Sequence, residues 1–286
     1  MQLTSPQKGL VFMLISTTMF ALVNTFVKFL NHIPAHELIF FRSIISLTLC
    51  IITIKKMGLS IWGNNRKWLV IRGFAGVTAL TLFFITLQNI SLANAVSIQY
   101  LSPLFTAILA IFLLKEKVKP AQWVYFAMAI LGVVIIKGFD KNLSWFYLGL
   151  GVLSSIFAGL AYNAVRKCKD TDKPVQVVLY FPLIATPIMA VWCLFDWVQP
   201  HGWDWLFLLI IGAGTQVAQI YMTKALHSDE TSKVTPVKYI GAIYAILIGY
   251  FVFDERLLLL NIVGIFIIVA AVLLNSGVHK IRRRVN

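Results

Sequence analysis

Residues 100–116 read YLSPLFTAILAIFLLKE, and residues 239–255 read YIGAIYAILIGYFVFDE. The two stretches have the same length, and each begins with a tyrosine, ends with a glutamate and is almost entirely apolar between them. Such a run is too long for a strand, and within a lipid bilayer a helix satisfies all of its backbone polar groups internally. The two stretches therefore predict membrane helices that belong to an internal repeat.

The composition of the whole chain is that of a membrane protein. Of its 286 residues, 59% are hydrophobic and 13% are charged, and the mean hydropathy is +0.83. A soluble globular protein has about 25% charged residues, so a cytosolic enzyme, a secreted disulfide scaffold and a disordered chain are excluded. The net charge of +14 is typical of cytoplasmic membrane loops, and it does not indicate nucleic-acid binding.

Apolar runs separated by short polar breaks predict an all-α integral membrane protein with ten transmembrane helices. The helices are expected near residues 8–30, 37–54, 67–88, 92–114, 120–137, 145–166, 175–195, 203–225, 234–253 and 258–276.

The positive charges predict the orientation in the membrane. With a cytoplasmic N-terminus, 18 of the 25 Lys and Arg residues fall on the cytoplasmic side, three fall on the opposite side and four lie within helices. Because cytoplasmic loops are enriched in Lys and Arg, both termini of this multi-pass protein are expected to face the cytoplasm.

A constant, gapless offset relates the two halves of the sequence, and we refer to it as the repeat offset. The shift that pairs Tyr100 with Tyr239 also aligns Asn24 with Asn163. The halves, residues 1–139 and 140–286, each contain five predicted helices, so the second half must cross the membrane in the opposite sense. Inverted five-helix repeats that form one transmembrane domain are typical of alternating-access transporters, whose substrate site lies between the repeats near the midplane.

The stretches at 100–116 and 239–255 resemble the fourth-helix and ninth-helix signatures of the EamA family, the ten-helix type of the drug/metabolite transporter superfamily. The resemblance covers the whole chain. It implies a transporter of small organic metabolites, without a cofactor, in a bacterial inner or plasma membrane, where its partners are the substrate and membrane lipids.

Lys238 is the first candidate substrate-binding residue. It follows Pro236 and lies about five residues into the ninth predicted helix, where a charge is costly and indicates function. The alternative is a lysine that extends to the nearby headgroups. More distant members of the superfamily that this sequence resembles use basic residues on this helix to carry phosphate compounds, which favours the functional interpretation.

Arg42 is a second intramembrane cation, on the second predicted helix. Its fork of donors could hold a carboxylate or a phosphate. The alternative is a structural arginine that pairs with Glu37, and the sequence alone favours that structural interpretation.

Polar and aromatic residues on the first, fourth, sixth, eighth and ninth predicted helices complete the candidate set. The repeat-equivalent Asn24 and Asn163 either line a cavity or form helix–helix hydrogen bonds. The same two alternatives hold for the other candidate amides. The candidate aromatic residues either stack on a substrate or pack the core. These remaining candidates are Gln216, Gln219, Tyr100 and Tyr239.

Acidic residues are predicted in loops or at helix ends throughout the chain, and the cysteines and histidines have no metal-ligand spacing. Neither a Walker A loop nor a catalytic arrangement of side chains occurs, which excludes an ATP-driven pump and argues against an enzyme.

We therefore expect a secondary transporter that moves an amino acid or a related zwitterionic or anionic compound by alternating access. The alternatives are a transporter of a choline-like cation held by aromatic rings and, from another class, a membrane transferase that acts on lipid-linked substrates. Small-residue stripes on the fourth and ninth helices predict close helix packing, with a homodimer interface as the alternative.

Overall fold

A computed structural model describes residues 5–115, 120–139, 143–226 and 235–282. Within these ranges the chain forms eleven α-helices and one 3₁₀-helix (Thr235–Tyr239). The α-helices are α1 (Ser5–Phe29), α2 (Ala35–Lys56), α3 (Arg66–Asn89), α4 (Leu92–Gln99), α5 (Ser102–Leu113), α6 (Pro120–Phe139), α7 (Trp145–Cys168), α8 (Pro174–Cys193), α9 (Asp204–Leu226), α10 (Ile240–Phe253) and α11 (Leu259–Arg282).

Ten apolar helical segments confirm the all-helical, multi-pass architecture. Eight are long and apolar enough to cross a membrane, with Leu92–Leu113 counted as one segment, and Val237–Phe253 and Leu259–Asn275 are shorter. They correspond one to one with the ten predicted helices. Glu116, the glutamate at the end of the first signature stretch, lies outside the described residues.

The fourth predicted helix is two helices, because α4 ends at Gln99 and α5 begins at Ser102. Pro103 occupies the first turn of α5. A proline donates no backbone hydrogen bond, and its ring clashes with the carbonyl group four residues earlier. An unbroken helix over residues 92–114 is therefore disfavoured, and Tyr100 and Leu101 form the turn between the two helices.

The ninth predicted helix begins as the 3₁₀-helix and continues as α10. A 3₁₀-helix is wound more tightly than an α-helix, and its hydrogen bonds have poorer geometry. At the repeat offset, the junction at Tyr239–Ile240 is equivalent to the turn at Tyr100–Leu101. Helix bounds recur at the same offset, since α2 begins at Ala35 and α8 begins at the equivalent Pro174.

Helices from residues 1–139 pack against helices from the rest of the chain. α1 packs along α9, α3 along α7, α2 along α8 and α6 along α11. One apolar core contains buried side chains from both parts, such as Leu38 and Phe84 with Leu148 and Ile268. The two parts therefore form a single helical body.

Two glycines allow a close approach between α6 and α11. A Cβ atom added at Gly132 would lie 2.8 Å from the carbonyl oxygen of Gly264, and one added at Gly264 would lie 2.8 Å from the carbonyl oxygen of Gly132. The backbones approach so closely that neither position has room for a side chain.

Candidate functional site

A cavity of about 200 Å³ lies between α1, α3, α4, α9 and α10. Much of its wall is aromatic or aliphatic, as at Phe20, Phe83 and Met222. Among the described residues, neither Asp nor Glu lines the cavity. Its polar lining residues are Ser16, Thr17, Asn24, Arg42, Gln99, Tyr100, Tyr162, Thr215, Gln219 and Lys238.

Lys238 lines the cavity from the 3₁₀-helix. Its ammonium nitrogen lies 3.5 Å from the hydroxyl oxygen of Tyr162 and 5.2 Å from the centre of that ring. The side chain is half-buried. The ammonium group therefore lies at the cavity wall, supported by an aromatic face and a phenol.

Tyr100 holds the backbone that carries Lys238. Its hydroxyl donates a hydrogen bond of 3.2 Å to the carbonyl oxygen of Lys238. Its ring lies 5.1 Å from that of Tyr239, at an interplanar angle of 68°. Both tyrosines are buried, and Tyr100 lines the cavity whereas Tyr239 lies behind it. The turn between α4 and α5 thus packs directly against the start of α10.

Arg42 reaches the cavity from α2 with 6% of its surface exposed. Its guanidinium carbon lies 4.9 Å from the ring centre of Phe181 and 6.0 Å from that of Phe84. The expected pairing with Glu37 is wrong. Five residues of helix rotate Glu37 away from Arg42 by well over a quarter turn, so the two side chains point in different directions. The Glu37 carboxylate instead accepts a 3.0 Å hydrogen bond from the backbone N–H of Val198.

The predicted amides divide between the cavity and helix contacts. Asn24 and Gln219 line the cavity. Asn163 instead donates hydrogen bonds to the carbonyl oxygens of Thr106, at 2.9 Å, and of Gly159, at 3.1 Å.

Gln216 also lies away from the cavity, in the contact between α9 and α2. Its side-chain oxygen accepts a 2.6 Å hydrogen bond from the hydroxyl of Ser46. Five of the eight predicted site residues therefore meet at the cavity: Lys238, Arg42, Tyr100, Asn24 and Gln219.

Several residues at or near the cavity were not predicted, and three of them contact its cations or rings: Tyr162, Phe181 and Arg72. Tyr162 could have been found, because it follows Ser155 by two helical turns and so lies on the same face of α7 as that polar residue. Phe181 has no distinguishing pattern. Arg72, on α3, lies 5.8 Å from the ring centre of Phe181 and within electrostatic range of Arg42.

A further intramembrane cation, Lys28 on α1, has an acidic partner. Its ammonium nitrogen lies 2.5 Å from a carboxylate oxygen of Glu255 and donates a 2.6 Å hydrogen bond to the carbonyl oxygen of Ile90. The same carboxylate accepts a hydrogen bond from the N–H of Leu92, at the start of α4. This ion pair ties the end of α1 to α4 and to the end of α10.

A multi-pass helical body around a cavity with two cations in its wall is an arrangement found in membrane transporters, and the comparisons with known proteins agree. In the described parts of the chain, no group of three His, Cys, Asp or Glu side chains could hold a metal ion. The chain belongs to the EamA-like transporter family, which matches residues 7–138 and again residues 145–277.

Curated relatives of this chain are transporters by name. The pseudopaline exporter CntI of Pseudomonas aeruginosa is 27% identical over 96% of this chain and 98% of its own length. The riboflavin transporter of Vibrio cholerae is 28% identical over 87% of this chain and 86% of its own length.

A solved crystal structure matches at a TM-score of 0.65 and 19% identity, covering 99% of this chain and 98% of the other. That match concerns the fold alone. Together, the family and its named relatives identify the chain as a multi-pass membrane transporter of small molecules and not an enzyme.

Proposed function

We propose that this protein is a secondary transporter that moves a small zwitterionic or anionic metabolite, such as an amino acid or a derivative, across the bacterial inner membrane by alternating access. The observation that carries the proposal is the charge of the cavity. Lys238 and Arg42 line it, and no described acidic residue does. A cavity with two cations and no carboxylate favours a substrate with at least one anionic group.

Alternating access rests on two inverted repeats, residues 1–139 and 140–286. Contacts between repeat-equivalent residues support this organisation. Tyr100 and Tyr239 are equivalent at the repeat offset, and their ring centres lie 5.1 Å apart. Arg42 and Phe181 are also equivalent, and the guanidinium carbon lies 4.9 Å from the ring centre.

In a body with two-fold symmetry, a residue can contact its own equivalent only near the axis. The two contacts therefore favour an approximate two-fold axis beside the cavity. Each repeat has an odd number of membrane segments, so we infer an axis in the membrane plane, a cavity near the midplane and both termini in the cytoplasm.

A choline-like cation is the alternative substrate, and the aromatic surroundings argue against it. Such a cation binds over the face of an aromatic ring. The ring of Tyr162 already has the ammonium group of Lys238 near it, and the ring of Phe181 has the guanidinium group of Arg42. A cationic substrate would therefore meet two fixed positive charges.

A thermal-shift measurement on the purified protein in detergent tests the proposal. The probes are the twenty L-amino acids, glutarate and choline. A bound probe raises the melting temperature by mass action, and we expect such a rise with amino acids or with glutarate. The shift should disappear in Lys238→Gln, because that variant loses the ammonium group at the cavity wall.

Arg256→Gln is the matched control. It also removes one positive charge, but from a side chain that is 85% exposed, and it should retain the full shift. A shift with choline alone would favour the cationic alternative. An unchanged shift in Lys238→Gln would mean that Lys238 does not contact the substrate.

A further inference from the structure

Among the described residues, the buried positive charge of Arg42 has no counter-charge. The side chain is buried, and its Nε and Nη1 atoms make no hydrogen bond. Among the described residues no carboxylate forms an ion pair with it. Arginine remains protonated in proteins, so it cannot avoid this cost by losing its charge.

The two rings beside Arg42 offset only part of that cost. The attraction of a cation to an aromatic face is weaker than the free-energy cost of burying an unpaired ion. Arg72 adds to the imbalance, because it approaches the same ring of Phe181 from 5.8 Å. The two guanidinium groups therefore share one ring and repel each other.

Arg42 and Lys238 make separate sets of contacts. Lys238 contacts Tyr162, whereas Arg42 contacts Phe181 and Phe84. The cavity consequently has two distinct positive sites. Among the described residues, no acidic side chain of the cavity wall neutralises either of them.

The position of Arg42 within the repeat is also specific. Its repeat equivalent is Phe181, a neutral residue, so the other repeat supplies no cation at this position. Ser46, one turn further along α2, is already bonded to Gln216. Neither neighbour neutralises the arginine.

We infer that Arg42 binds a second anionic group of the transported molecule, and that the cavity selects substrates with two anionic groups, one at Arg42 and one at Lys238. The guanidinium fork suits a carboxylate because it offers two parallel donors. Arg72 does not line the cavity and is not part of this site. The inference rests on the proposed function of the cavity.

The test compares glutarate, which has two carboxylates, with its monoamide, which has almost the same shape and one carboxylate. Dissociation constants are measured by isothermal titration for the wild-type protein, Arg42→Gln, Arg42→Lys and the control Arg256→Gln. The wild-type protein and the control should bind glutarate at least tenfold more tightly than the monoamide.

In Arg42→Gln this preference should fall to about twofold or less, while the affinity for the monoamide changes little. Arg42→Lys should recover part of the preference, because it keeps the charge and loses the fork. Arg42→Lys also keeps the inference testable if Arg42→Gln does not fold.

Inorganic phosphate and chloride form the second arm of the experiment. Phosphate or chloride that binds through Arg42 without competing with glutarate would show that the site holds a free inorganic ion, which would overturn the inference. An unchanged preference in Arg42→Gln would overturn it too, as would a wild-type protein that binds neither glutarate nor its monoamide. Amino-acid binding that depends on Lys238 would survive each of these results, so the proposed function and the inference can fail separately.

Discussion

Replacing Glu255 by Gln should destabilise the protein by leaving Lys28 buried without a counter-charge. The two side chains are 12% and 15% exposed, and their charged atoms lie 2.5 Å apart. The substitution keeps the shape of the side chain and an oxygen that can still accept the hydrogen bond from Leu92. It therefore removes the charge and little else.

The expected loss lies between two limits. Removing one partner of a buried ion pair costs about 3–5 kcal/mol, and an exposed pair contributes about 0.2–1 kcal/mol. Lys28 keeps its hydrogen bond to the carbonyl oxygen of Ile90 and its position 5.5 Å from the ring centre of Phe253. We therefore expect a loss of about 2–4 kcal/mol in the free energy of unfolding.

A double-mutant cycle measured by SDS-titrated unfolding in detergent micelles tests this value. Lys28→Met with Glu255→Gln should recover at least about 1 kcal/mol relative to the sum of the two single variants, because the double variant leaves no unpaired charge. Arg256→Gln is the neighbouring control. Its pair with Asp254 spans 3.8 Å and is 85% and 84% exposed, so its stability should not change measurably. Additive single effects would refute the reasoning.

Two further predictions concern packing and topology. Gly132→Ala should lower the melting temperature, because its Cβ atom would lie 2.8 Å from the carbonyl oxygen of Gly264. Gly149→Ala is the control and should raise the melting temperature slightly, because nothing lies within 4 Å of the added atom. Equal shifts in the two variants would contradict the close contact. A cysteine at Gln199 should react with an impermeant thiol reagent on intact cells, and a cysteine at Lys169 should not. The native cysteines are buried, so they should give little background labelling. The reverse pattern would overturn the inferred orientation.

The sequence predicts the ten apolar segments because apolar length is a local property. Most of their bounds agree with the structure within about one helical turn, and the repeat offset recurs in the helix ends. The interruption of the fourth helix has a local signal in Pro103, but apolar length alone predicts an unbroken helix.

Pairings across the chain could not be predicted from local pattern. Nearness in sequence favours a pair between Arg42 and Glu37, yet in the fold Glu37 accepts a hydrogen bond from a backbone amide and Arg42 lies beside two rings. Lys28, on the first helix, pairs with Glu255, which lies in the other half of the sequence. Helix periodicity gives the face of a side chain, but not the residue that lies opposite.

The two repeat-equivalent asparagines explain why cavity residues are hard to assign, and they bear on the proposed mechanism. Asn163 bonds to the carbonyl oxygen of Thr106. Its equivalent, Asn24, lines the cavity together with Ala245, the residue at the position equivalent to Thr106. Each pair joins one residue from each half, and the pair Asn163 and Thr106 is hydrogen-bonded whereas the pair Asn24 and Ala245 lines the cavity. If the halves exchange conformations, as inverted repeats do in alternating access, the opposite state must close Asn24 onto Ala245 and separate Asn163 from Thr106.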